Sequence, residues 1–168
     1  VIPAGMAFGT GQHATTAMCL RRLAEMIRPG SKGSMLDVGT GSGVLALAAA
    51  RWGWRSEGMD YDPEAIREAR RNGRRNGLGG EVRFRVAAVE EFEPEEPVDL
   101  VVANLFASML ERSLARMRGW VKGGGGMILS GILVDQEEGV RRAAEEVGIR
   151  IRRRWRLGKW VCLAGRCS

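Results

Sequence analysis

Short apolar runs alternate along this chain with segments whose apolar residues recur every three or four positions. Between residues 14 and 28, Ala17, Leu20, Leu23, Ala24 and Ile27 fall at helical spacing, and Pro29-Gly30 stops the helix. Met35-Leu36-Asp37-Val38 reads as a buried strand, followed by an Ala-rich helix over 44–52. The order then repeats. A strand over 55–60 leads into a helix with Asp62 as N-cap and Pro63 in its first turn. Strands are predicted over about 82–87 and 98–103, a helix over about 107–118 and a strand over 127–132. Asp135 and Glu138 have the spacing of a capping box for a helix over 136–147. At the end Ile149, Ile151, Trp155 and Leu157 alternate with Arg150, Arg152, Arg154 and Arg156, and Trp160 to Ala164 return after Gly158-Lys159, which predicts an antiparallel hairpin.

The repeated strand–helix order predicts one α/β domain, doubly wound, with a mostly parallel seven-stranded sheet, helices on both faces and a C-terminal hairpin. With 168 residues, 45% of them hydrophobic, the chain can bury a real core. No apolar run reaches the roughly 18 residues that a membrane span needs and no signal-peptide pattern opens the chain, so a cytoplasmic protein without membrane contact is expected. Val1 in place of an initiator methionine reads as a fragment of something longer. Cys19, Cys162 and Cys167 form no CxxC pair and His13 is the only histidine, which argues against a zinc site or a disulfide framework. The net charge of +6 permits contact with nucleic acid without requiring it, and a monomer is expected.

The strongest local signal is Leu36-Asp37-Val38-Gly39-Thr40-Gly41-Ser42-Gly43, which follows a predicted strand and opens a helix. Glycine lets a ligand approach the backbone closely. The spacing is GxGxG, whereas the dinucleotide fingerprint GxGxxG would need glycine at Val44, so a nucleoside-type ligand without pyrophosphate is favoured over NAD. A bare GxGxG is as often only a tight turn. Asp60 adds weight, because it ends the second strand, where a carboxylate accepts hydrogen bonds from ribose hydroxyls; the other reading is a cap for the following turn. Asp37 is placed to brace the loop through its backbone N–H groups. Asn104 ends the fourth strand beside the topological switch point, and its amide oxygen could hold an incoming amine; the bland alternative is a turn residue.

Taken together, these residues resemble the class I S-adenosylmethionine-dependent methyltransferases, whose Rossmann-like fold agrees with the predicted sheet. Ala7-Phe8-Gly9-Thr10-Gly11-Gln12-His13-Ala14-Thr15-Thr16 is similar to the FGTGxHxTT signature of the ribosomal protein methyltransferases that modify protein eleven of the large subunit. Gly58-Met59-Asp60-Tyr61-Asp62-Pro63 resembles that family's GxDxDP segment, Asn104-Leu105-Phe106-Ala107 its NILA segment, and Ser130-Gly131-Ile132-Leu133 its SGIL strand end. Ala14 stands where the family often has proline.

The resemblance implies S-adenosylmethionine as cofactor, S-adenosylhomocysteine as product, and a large-subunit ribosomal protein as partner and substrate. It implies cofactor contacts at Thr16, Gly39, Asp60 and Asn104, with Phe8, Gly9, Thr10 and His13 in a loop over residues 1–16 that covers the site; Phe8, Thr10, Asp37, Gly41, Gly43 and Tyr61 complete the expected cofactor-binding set. Members of the family carry an N-terminal substrate-recognition domain, which this chain lacks, so residues 1–168 are expected to be the catalytic domain alone. Methyl transfer to a lysine or α-amine needs a neutral nucleophile. Asn104 is the expected orienting residue. His13 is the one side chain of the right type for proton transfer, although a loop histidine also serves simply to fix its loop.

Other readings stay open: methylation of another protein lysine, of RNA or of a small molecule, or a cofactor-binding module without catalysis. No Pro-Pro-Tyr/Phe follows Asn104, which argues against adenine methylation. The arginine-rich strand over 150–156 either lies against ribosomal RNA, with Trp155 as a stacking group, or guards an exposed sheet edge. Glu90 opens an acidic run near the region where such enzymes hold adenine. Trp52, Trp54, Trp120 and Trp160 read as packing residues.

Overall fold

The computed structural model describes residues 13–28 and 30–168. Its seven strands are β1 (Ser34–Val38), β2 (Arg55–Asp60), β3 (Val82–Val86), β4 (Val98–Asn104), β5 (Val121–Leu133), β6 (Ile149–Leu157) and β7 (Trp160–Cys167). Five helices accompany them: α1 (Ala14–Met26), α2 (Val44–Arg51), α3 (Pro63–Arg75), α4 (Ala107–Gly119) and α5 (Glu137–Glu146). The strands form one sheet in the order β3-β2-β1-β4-β5-β7-β6. β1 to β5 run parallel, and the terminal hairpin adds β7 and β6 antiparallel. Chain order reverses between β1 and β4, which opens a crevice beyond the carboxyl ends of those strands.

Each sheet face buries its own core. Leu23 of α1, Leu47 of α2 and Ile66 of α3 pack on one face with Met35, Leu100 and Ile128. Leu110 and Leu114 of α4 and Val140 of α5 pack on the other with Leu36, Val101 and Leu129. All five residues of β1 are buried, as a central parallel strand covered on both faces requires. Asp62 caps α3 as expected, its carboxylate accepting from the Glu64 N–H at 2.9 Å, with Pro63 in the first turn.

Four details depart from the sequence pattern. Residues 14–16, assigned above to a covering loop, form the first turn of α1, because His13 caps the helix. β5 starts at Val121 rather than 127, and between Val121 and Gly126 it bulges away from β4, which advances only from Val98 to Leu100, with Gly124 at a φ of 75°. Asp135 and Glu138 form no capping box; a 3-10 turn over Val134–Gln136 displaces the start of α5, and Gln136 accepts from the Leu133 N–H instead. Finally, β6 breaks register with β7 between Ile151 and Arg153. One extra residue there reverses side-chain parity. Ile149 and Ile151 therefore pack on the α5 face, but Trp155 packs on the opposite one beside α1, not on a shared apolar stripe.

Candidate functional site

At the C-terminal end of β1 the chain must turn into α2 within a few residues. Gly39, Gly41 and Gly43 make that turn with φ of 70°, 51° and 81°, which side chains rarely tolerate. The loop is tied down from two sides. The Gly39 and Thr40 N–H groups both donate to the Met59 carbonyl at 2.9 Å. Behind the loop, one oxygen of Asp37 accepts from the Thr40 hydroxyl at 2.7 Å and from the Ala46 N–H at 3.3 Å.

Asp37 is buried, and its second oxygen has no hydrogen-bond partner among the described residues. Burial pushes its carboxyl up to about 7 against the opposing hydrogen bonds from Thr40 and Ala46, and the nearby Asp60 adds to the rise. An unfolded aspartate titrates near 3.9. Between those values the folded state holds a proton that the unfolded state has lost, so this group's contribution to stability falls as pH rises to about 7 and is level above. Asparagine does not titrate, and its oxygen can still accept from Thr40 and Ala46. Asp37→Asn is accordingly expected to gain about 2–3 kcal/mol on the parent between pH 5 and pH 8. Urea melts at the two pH values measure this, and an equal difference at both would contradict it.

The glycine loop, the end of β2 and the end of β4 surround a cavity of about 730 Å³, within the roughly 300–1,000 Å³ usual for small-molecule sites. Asp60 reaches it from the end of β2. Its Oδ2 accepts from the Gly41 N–H and its Oδ1 from the Asp62 N–H, both at 3.0 Å. Asn104 faces it from the end of β4, where Nδ2 donates to the Thr16 hydroxyl at 3.3 Å. That contact ties α1 to the sheet and turns the amide oxygen toward other donors. Tyr61 and Phe106 stand exposed at the cavity mouth.

His13 closes one side as the N-cap of α1. Its Nδ1 accepts from the Thr15 N–H at 3.4 Å and lies 2.8 Å from the Thr15 hydroxyl. A neutral ring that accepts at Nδ1 carries its proton on Nε2. The ring meets Trp160 edge-on, with centroids 5.2 Å apart. Ser130 and Gly131 lie under this corner. The Leu105 N–H donates to the Ser130 carbonyl at 3.1 Å, and the Ser130 hydroxyl donates to the Thr15 carbonyl at 3.4 Å.

Of the residues expected at the site, His13, Thr16, Gly39, Gly41, Asp60, Tyr61 and Asn104 line the cavity together. Asp37 and Gly43 do not line it: Asp37 supports the loop from behind, and Gly43 faces Ala69 and Phe84, where a Cβ would come within 2.9 Å of both. Phe8, Gly9 and Thr10 lie outside the described residues. Sequence reasoning missed Thr15, Leu45, Ala88, Val89, Met109 and Trp160. The strand-end rule could have found Ala88 and Val89, which follow β3. Trp160 reads as packing in the sequence because nothing there says that β7 pairs with β5.

The lining carries a chemistry of its own. Asp60, Asp62, Glu64, Glu68 and Glu90 face a single guanidinium, Arg71, which favours a cationic ligand. Ala87, Ala88, Val89 and Leu45 offer an apolar slot for a flat ring, and Asp60 retains lone pairs for vicinal hydroxyls. Gly39 leaves room that a Cβ could not share with Leu105. A nucleoside bearing a sulfonium charge fits this donor and acceptor set.

Comparison with known proteins agrees with the geometry. The family described as ribosomal protein L11 methyltransferase (PrmA) matches residues 1–168. A ribosomal protein L11 methyltransferase of Thermus thermophilus is 44% identical over 164 residues, covering 98% of this chain but 63% of the relative. A ribosomal protein L11 methylase from Lactobacillus delbrueckii subsp. bulgaricus superposes with a TM-score of 0.85 at 27% identity, over 94% of this chain and 81% of that one. The magnesium protoporphyrin IX methyltransferase of Synechocystis PCC 6803, solved with bound SAM, shares the fold at a TM-score of 0.75 and 16% identity, over 90% of this chain and 77% of that one. The chain thus spans less than two thirds of the length of the curated relative it matches.

Proposed function

The chain belongs to the ribosomal protein L11 methyltransferase family, and from that premise we propose that it transfers methyl groups from S-adenosylmethionine to amine nitrogens of ribosomal protein L11. The acceptors are lysine side chains or the α-amine. The observation that carries this reading is the convergence of Asp60, the glycine loop and Asn104 on one acidic cavity at the switch point. On the same reading residues 1–168 act as the catalytic domain, in the cytoplasm and as a monomer, with Phe8 and Thr10 contributing to the cover of the site.

When bound, S-adenosylmethionine supplies an electrophilic methyl group on a sulfonium. Asp60 would hold the ribose hydroxyls, Ala88 and Val89 would flank the adenine, and Gly39 and Gly41 would let the ligand lie against backbone. Asp37 and Gly43 would act on the cofactor only through the loop they support. This chain's remaining task is to position an amine and exclude water. A lysine has a reference pKa near 10.4 and an α-amine near 8, so the acceptor loses its proton on entering a desolvated slot. The Asn104 oxygen accepts from the neutral amine and aims its lone pair. His13 holds α1 in place: its Nδ1 is committed to Thr15, so taking a proton there would break the helix cap.

Calorimetry with S-adenosylhomocysteine, with NADH as control, tests the cofactor. Micromolar binding of the first and none of the second is expected. Transfer of labelled methyl to purified L11 tests the reaction. Absence of S-adenosylhomocysteine binding by folded protein would refute the proposal, and binding without transfer, even with the family's N-terminal substrate-recognition domain joined to the chain, would assign it to a non-catalytic module.

A further inference from the structure

The bulge in β6 divides its arginines between the two faces of the sheet. Arg154 falls on the α5 face, where its Nε lies 2.8 Å from each oxygen of Glu137, a carboxylate shared with Arg141. Arg152 and Arg153 line a groove on the α1 side, together with Arg22, Arg28 and Arg166 and the half-buried Trp155. The groove holds about 500 Å³. Its five arginines meet one carboxylate, Glu25, which pairs with Arg22 at 2.9 Å. The Arg22 guanidinium also lies over the Trp155 ring, 4.2 Å from its centroid. Its Nε is buried with no acceptor among the described residues.

Elsewhere Arg55, Arg67, Arg83, Arg85 and Arg116 each pair with a glutamate, and the arginines that do not, such as Arg112 and Arg142, do not line this concavity; the groove differs in gathering five arginines around one carboxylate. Among the described residues Arg28, Arg152 and Arg153 have no such partner. Guarding the edge strand against pairing explains charge along β6, since β6 ends the sheet. It does not explain why the turn after α1 and the neighbouring β7 add arginines to the same concavity. Uncompensated like charges repel, and a bound polyanion relieves that repulsion.

We propose that this groove binds the phosphodiester backbone of a single RNA strand. Guanidinium forks match phosphate oxygens in pairs, which a carboxylate-poor groove leaves available. The half-buried Trp155, with Arg22 over its ring, forms the floor of the groove, beside which a base of an unpaired strand can rest. The large exposed apolar side chains, among them Tyr61 and Phe106, lie outside the groove, so it presents no wedge for a lipid surface. The choice of RNA over DNA rests on the ribosomal substrate proposed above.

The test is fluorescence anisotropy with a labelled single-stranded RNA of about 12 nucleotides, an ordinary length for such sites. Affinity should fall with added salt along a log–log slope of about −2 to −3, near −0.7 for each phosphate engaged. Combining Arg152→Gln with Arg153→Gln should weaken binding about tenfold and flatten the slope by about 1.4. Arg112→Gln with Arg142→Gln makes the same charge change on the α4 and α5 side and should alter binding less than about twofold. Equal weakening by both pairs, or none by the first, overturns the groove. Tighter binding of DNA of the same sequence, or equal competition by polyglutamate, overturns RNA as the occupant. S-adenosylhomocysteine binding is measured on the same samples and should not change. Failure of the groove is thereby distinct from failure of the methyltransferase reading.

Discussion

Replacing Asp60 with Asn is expected to weaken S-adenosylhomocysteine binding about a hundredfold, equivalent to about 2.7 kcal/mol, while the protein stays folded. Both carboxylate oxygens already accept a backbone N–H, from Gly41 and from Asp62. Each still has a lone pair directed at the cavity, so the ionised group can hold two vicinal hydroxyls at once. Hydrogen bonds to a charged group contribute about 1.5–3 kcal/mol each. An amide fails on both sides. Whichever way it turns, its NH₂ points at a backbone N–H, and only one oxygen remains for the ligand. The local loss of one hydrogen bond, about 1 kcal/mol, should lower the melting temperature by about 2–4 °C. Calorimetry and a thermal melt on one sample separate the two effects. Unchanged affinity would mean that the ligand's hydroxyls do not lie at Asp60.

Asp60 was legible in the sequence because its signal is local: a glycine loop, a strand and a carboxylate at a set distance along the chain. The same holds for the Asp62 cap and for the run of parallel strands. What stayed hidden depends on pairing between distant segments. The apolar alternation of β6 pointed to a single stripe, and only its register against β7 shows that one inserted residue sends Trp155 to the other face. Trp160 read as packing until β7 was seen to lie beside β5 and bring it against His13. Asp37 and Gly43 carry motif identity but stand behind the loop, because a motif records which residues shape a turn without saying which of them the ligand meets. His13 sits in the covering signature, yet its local chemistry is a helix cap. Asn104 was placed at the switch point by rule; its link to Thr16, 88 residues away in sequence, was not readable.

Gly131→Ala is expected to cost about 3–5 kcal/mol of stability and to abolish most methyl transfer in whatever protein still folds. The residue sits in a bulge of β5, where the pairing with β7 loses register between Leu129 and Ile132. Its φ of 83° is strained for alanine. A Cβ there would also collide with the Leu105 carbonyl oxygen and lie 2.8 Å from the carbonyl carbon. These are backbone atoms, so no rotamer change relieves the clash; the Asn104–Leu105 segment must move. That movement draws the Asn104 amide away from Thr16 and from the amine it is proposed to hold, whereas Asp60 and the glycine loop lie on other strands. Transfer to L11 should therefore fall by far more than S-adenosylhomocysteine affinity, because a misplacement of about 1 Å is worth about a hundredfold in rate. Stability is read from urea melts, and kcat against Kd from assays below the unfolding temperature. Equal losses of affinity and kcat would show that the bulge supports the whole cavity rather than the acceptor side of it.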